Sequence, residues 1–139
     1  MPICEKFIGT LNSLGINAAF LHTNSALHGD LGVVRQNDIV ILLSKSGETK
    51  ESIELAGHLI NFGVDTWLIS FNSSSTLSRM IKDHLIMSLE NEGDGWDIMP
   101  NNSTSVYLIL LQGLAMQLKE RLGLTKDVFK KNHPSGRNL

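Results

Sequence analysis

Residues 44–49, in the stretch "SKSGETKE", place three hydroxyls and a glycine between an apolar run and a stretch of helical periodicity. Ser44, Ser46 and Thr49 can each donate to an anionic oxygen. Gly47 lets a ligand approach the backbone with no Cβ in the way. A helix starting after Thr49 adds unpaired N–H groups and the positive end of its dipole. Amides and hydroxyls of this kind hold a phosphate without a fixed lysine or arginine. The same residues also suit a turn that only caps the helix, and spacing leaves both readings open. It is not a Walker loop, because no G-K-[ST] follows.

Carboxylates and histidines supply the other candidates. Glu92 lies in a glycine-bearing loop, where a carboxylate can point into a cleft. Glu51 falls in the first turn of the helix after the hydroxyls, a favourable place for an acid in any helix. His28 sits in "LHGD" and His133 precedes Pro134. Taken singly, each also reads as a solvated or loop-bonding side chain. "PNNSTS" sets Asn102, Ser103 and Thr104 at a helix start, either a second anion or hydroxyl site or a simple cap. The one cysteine, Cys4, excludes an internal disulfide and a paired-cysteine zinc site. It suits a reducing compartment.

The elements that must position these residues follow from apolar spacing. Ile3, Phe7, Ile8, Leu11 and Leu14 mark one helix face over 3–14, stopped by Gly15. Residues 17–22 predict a short buried strand. Residues 25–32 read as a loop with a helical turn. Residues 38–44, "DIVILLS", carry no polar alternation and predict a strand buried on both faces. A helix over 49–62, a strand over 65–71, a turn at "NSSST", a short helix and a strand over 84–89 follow. After an irregular loop, a long helix spans about 102–122, then a last short helix and a polar tail. Alternation of this sort implies an α/β fold, a mostly parallel, doubly wound sheet flanked by helices in three layers. The long helix is apolar almost all round, more than one sheet face can cover, which points to a subunit interface.

The 139 residues imply a single domain over 1–139. At 42% hydrophobic the chain can build a core, and a formal charge of −2 asks for neither nucleic acid nor an anionic membrane. No apolar run reaches the ~18 residues of a membrane span. A cytoplasmic protein is expected.

Beyond spacing, "SKSGETKE" resembles the S-x-S-G-x-T-x-E signature of the sugar isomerase (SIS) domain family. "FLHTNSALHGDLGVV", "NDIVILLS", "ENEGDGWDIMPNNSTS" and "KDVFKKNHP" resemble, in order, segments of its arabinose-5-phosphate isomerases. The resemblance runs from about Ile3 to Gly136. It implies a flavodoxin-like α/β fold and aldose–ketose isomerisation of a sugar phosphate, with no metal and no organic cofactor. The phosphate falls to Ser44, Ser46, Gly47 and Thr49. Glu92 becomes the general base, and His133 the group for ring opening and hydroxyl proton transfer. Glu51 orients substrate hydroxyls, His28 is a fourth polar position, and Ser103 and Thr104 lie on the substrate side. A homodimer or homotetramer is implied. The alternative within the family is a non-catalytic, sugar-phosphate-binding or regulatory domain. Two departures stand out. The family's first strand and its lysine-bearing G-x-G-K-S loop would precede this sequence, so an N-terminally incomplete domain is expected. The H-P-G-G tail reads His133-Pro134-Ser135 here, with a serine for a glycine.

Overall fold

The computed structural model describes residues 2–135. The remainder of the expected polar tail lies outside the described residues. The helices are α1 (Pro2–Ser13), α2 (Thr23–Ala26), α3 (Lys50–Asn61), α4 (Thr76–Met80), α5 (Asn102–Arg121) and α6 (Lys126–Lys131). The strands are β1 (Ile39–Leu43), β2 (Asp65–Ser70) and β3 (Asp83–Ile86). The chain divides into two compact units. One is Leu21–Glu90, and the other joins the chain up to Phe20 with the chain from Asn91 onward.

Within Leu21–Glu90 the three strands lie in the order β1-β2-β3, all parallel, with α3 and α4 as the crossovers. Ile41 pairs with Trp67, and Trp67 with Asp83. Alternate residues of a strand face opposite sides. Leu42 and Leu68 therefore share one face, buried with Leu55, Ala56 and Leu59 of α3 and Leu77 beside them. Those three α3 residues recur at helical spacing, which turns one stripe of the helix to the sheet.

Two strand expectations need correction. Residues 17–22 form no strand. A strand requires a ladder partner, and here the Asn12 side chain takes that part. It accepts from the Ala18 N–H at 3.0 Å and donates to the Ala18 carbonyl at 3.1 Å. Nor is β1 buried on both faces. The helices of its own unit cover the Leu42 side, while Ile39 on the other side is 63% exposed. The last strand is shorter than expected, ending at Ile86, although Met87 still donates to the Ser70 carbonyl at 2.8 Å.

In the other unit α1 packs against α5. Ile3 and Leu11 of α1 are buried, as is Leu14 just after it, and so is the α5 stripe of Tyr107, Leu111 and Ala115. α6 is tied to α1 where the Asn132 side chain donates to the Ser13 carbonyl at 3.2 Å.

Candidate functional site

The hydroxyl loop joins β1 to α3 within Leu21–Glu90. Ser44 is buried, and its Oγ accepts the Gly47 N–H at 3.1 Å. The Ser46 Oγ accepts the Glu48 N–H at 3.2 Å, and Ser46 stays exposed. Thr49 is the N-cap of α3, yet its side chain makes no cap bond to the helix. A hydroxyl at the N-cap that does not cap leaves the first turn's N–H groups available to another acceptor. Glu51 is exposed in the first turn of α3, and His28 is exposed after α2.

Sequence reasoning missed the second loop behind this one. The turn 72–76 supports the hydroxyl loop along its length. The Asn72 amide donates to the Ser46 carbonyl at 3.0 Å, and the Leu77 N–H donates to the Gly47 carbonyl at 3.1 Å. Glu48 crosses to Thr76, accepting its N–H and its hydroxyl, each at 2.8 Å. Hydrogen bonds from the Thr76 side chain and backbone, with Arg79 nearby, hold the Glu48 carboxyl below its ordinary value. Ser75 caps α4 through the Ser78 N–H. The only signal in the sequence was the run of hydroxyls in "NSSST", which read as a turn and no more.

The second candidate region lies in the other unit. Glu92 is 0% exposed. Its Oε2 accepts the N–H of Asn101 at 3.0 Å and of Ser103 at 2.9 Å. Asn101 is the N-cap of α5 and contributes no side-chain cap, so the Glu92 carboxylate does that work. The helix start, read as either an anion or hydroxyl site or a simple cap, is thus capped by an internal carboxylate. Ser103 is buried there, and the Thr104 hydroxyl donates to the Pro100 carbonyl at 2.7 Å. Tyr107, one turn on, is a neighbour that sequence reasoning did not name. Burial pushes its hydroxyl well above the usual range, and Cys4 and Glu92 add to the shift.

The loop between Glu92 and α5 is fastened by acids. Asp94 accepts the N–H groups of Trp96 at 2.7 Å, Ile98 at 3.2 Å and Met99 at 2.7 Å. Desolvation opposes the charge on Asp94, but these bonds together hold its carboxyl below the ordinary value. The Asp97 carboxylate accepts the Glu92 N–H at 2.6 Å.

His133 packs its ring on Phe129, with centroids 4.0 Å apart. Its Nδ1 lies 2.8 Å from the Phe129 carbonyl, which can only accept, so Nδ1 carries a proton. Nε2 faces the Ser13 hydroxyl at 3.4 Å. Nε2 is therefore the nitrogen that can exchange a proton. Cys4 is half-buried and burial pushes its thiol up, which fits a packed residue rather than a nucleophile. Among the described residues no cluster of three His, Cys, Asp or Glu could hold a metal, and no helix is long and apolar enough to cross a membrane.

Residues 1–117 match the model of the SIS domain. The chain is 33% identical over 132 residues to arabinose 5-phosphate isomerase KdsD of Pseudomonas aeruginosa, covering 95% of this chain and 40% of that protein. It is 34% identical over 132 residues to arabinose 5-phosphate isomerase KpsF of Escherichia coli, covering 95% of this chain and 42% of that one. The chain thus spans about two fifths of the length of these curated relatives. Among solved structures, an Escherichia coli CFT073 protein in complex with arabinose 5-phosphate superposes with a TM-score of 0.91 at 31% identity. That match covers 96% of this chain and 71% of the other.

Proposed function

The chain belongs to the SIS-domain family, and on that premise we propose that it is a sugar-phosphate aldose–ketose isomerase of the arabinose 5-phosphate type. The observation that carries the phosphate site is Thr49, an N-cap hydroxyl that does not cap, beside exposed Ser46 and a glycine-borne loop. Ser44, Ser46, Gly47 and Thr49 hold the phosphate, and Glu51 and His28 contact sugar hydroxyls. Ser103 and Thr104, at the start of α5, serve the sugar once their internal bonds to Glu92 and the Pro100 carbonyl open.

The chemistry assigned to the other unit is proton transfer. The Glu92 carboxylate removes the proton on C2 of the aldose. The C2–H electron pair forms the C1–C2 double bond of an enediol, and the aldehyde oxygen gains a proton. Return of a proton to C1 and loss of the O2 proton give the ketose. His133, exchanging a proton at Nε2, opens the ring and carries the hydroxyl protons. Nothing in this sequence of steps calls for a metal or an organic cofactor. Glu92 has no exposed surface, so the step requires local opening at this carboxylate. We assign the protein to the cytoplasm and to a homo-oligomeric state.

One observation favours a second reading, a domain that binds a sugar phosphate without turning it over: Glu92 is buried and already caps α5. Solvent exchange separates the two. Arabinose 5-phosphate incubated with the protein in heavy water should gain deuterium at C2, read by proton NMR. Glu92→Gln keeps a cap acceptor but removes the base, and should slow exchange by about 10²–10⁴-fold while binding persists. Exchange by the Gln variant at the parental rate would remove Glu92 from the mechanism. Binding with no exchange by the parent would leave the second reading.

A further inference from the structure

We infer that Asp97 is a positioning residue for Glu92: its carboxylate fixes the main chain at the proposed base while the Glu92 side chain moves. The role presupposes the reading of Glu92 as the base given above. Among the described residues Asp97 is the only non-glycine with a positive φ, +56°. That conformation is sterically costly for a residue with a Cβ, and it persists only where the surrounding structure holds it. Here the turn 94–97 holds it. The Asp97 N–H donates to the Asp94 carbonyl at 3.3 Å. The Asp94 carboxylate gathers the N–H groups of Trp96, Ile98 and Met99 on either side. From this position an Asp97 oxygen reaches back five residues and accepts the Glu92 N–H at 2.6 Å. Asp97 is otherwise exposed, so water could satisfy its carboxylate, and burial does not explain the arrangement.

The hydrogen bonds that fix Glu92 fall into two sets, and no Glu92 atom belongs to both. The side chain, through Oε2, accepts the N–H groups of Asn101 and Ser103. The main chain is held at both ends, its N–H by Asp97 and its carbonyl by the Asn102 N–H at 3.2 Å. Reaching a substrate breaks only the first set, by rotation about the side-chain torsions. The second set survives that rotation, so the carboxylate swings from an anchored Cα. The neighbouring residues strengthen the anchor. A Cβ on Gly93, whose φ is +80°, would come within 2.9 Å of the Asn102 Nδ2, and that amide donates to the Asn91 carbonyl at 3.0 Å. Loss of the Asp97 acceptor would free one end of the anchor. Misplacing a reacting group by about 1 Å costs up to about 100-fold in rate. Asp97 acts on the main chain of the base, so it should govern proton transfer and leave the grip on the substrate alone.

The test follows deuterium gain at C2 of arabinose 5-phosphate by the full chain over a range of substrate concentrations, which yields kcat and KM for exchange. Asp97→Gly removes the acceptor oxygen and introduces the residue for which this φ carries no steric cost. Its kcat should fall about 10- to 100-fold with KM unchanged. Asp97→Asn keeps an acceptor oxygen and tolerates the left-handed region, so it should restore most of the lost rate. In a Glu92→Gln background Asp97→Gly should cost nothing further, because it acts only through Glu92. Parental kcat in Asp97→Gly, or a loss confined to KM, would overturn the role and leave the base reading standing. So would an Asn variant as slow as the Gly variant, or a full further loss in the Gln background. Parental exchange by Glu92→Gln alone, or no exchange by the parent, would instead overturn the base reading and the role of Asp97 with it.

Discussion

Gly47 shows at the scale of one residue how the candidate site is built. Its φ is +67°, in the left-handed region that glycine tolerates. A Cβ there would also come within 2.5 Å of the Ser75 Cβ. Two independent constraints therefore demand glycine, and both are internal to the chain. Gly47→Ala should destabilise the protein by about 2 kcal/mol, combining backbone strain with overpacking. Trimming Ser75 to glycine in the same chain should recover part of that loss in a denaturant melt. If Gly47→Ala melts like the parent, the close approach of the two loops is wrong. The sequence singled out Gly47 as a candidate site residue, through its place among hydroxyls. It did not reveal Ser75, because a contact between residues 28 positions apart leaves no local pattern. Glu92 is a similar case. Its loop position and resemblance marked it out, but its bonds to Asn101 and Ser103 arise only when the loop folds back on α5.

Among the elements, those with strong periodicity were legible. Helix α5 was expected over about 102–122 and runs from Asn102 to Arg121, and α3 ends, as expected, just before Gly63. The stretch 17–22 was not legible, because a short apolar run cannot show whether a partner strand exists. Asn12 satisfies Ala18 instead. The tie between the two strand–helix loops was also hidden, and it carries a pH dependence. The Glu48 carboxyl lies below its ordinary value of 4.5 chiefly through its bond to the Thr76 side chain. A folded pKa below the unfolded one means the contribution is whole above the ordinary value. It is lost as pH falls through the lower, folded value. Acidification should therefore loosen the β2–α4 loop at Thr76, seen as faster exchange of its amide relative to the α3 interior. Thr76→Val should raise the Glu48 titration midpoint, followed by NMR of the carboxyl carbon. An unchanged midpoint in that variant would contradict the tie.

For the whole molecule, the parallel α/β architecture and the SIS-domain membership were legible because several motifs occur in order along one chain. The division into two compact units was not, since it joins the two ends of the chain into one of them. In the proposed function the phosphate, rather than the sugar, is the handle that the Leu21–Glu90 unit grips. Calorimetric titration of the full chain with arabinose 5-phosphate and, separately, with arabinose tests this most directly. The phosphate ester should bind and the free sugar should not. Ser46→Ala, with an unaltered melt, should weaken the ester by about 10- to 150-fold, the loss of one hydrogen bond to a charged group worth about 1.5–3 kcal/mol. Arabinose binding as tightly as its phosphate, or a folded Ser46→Ala chain with parental affinity, would contradict the assignment of the hydroxyl loop.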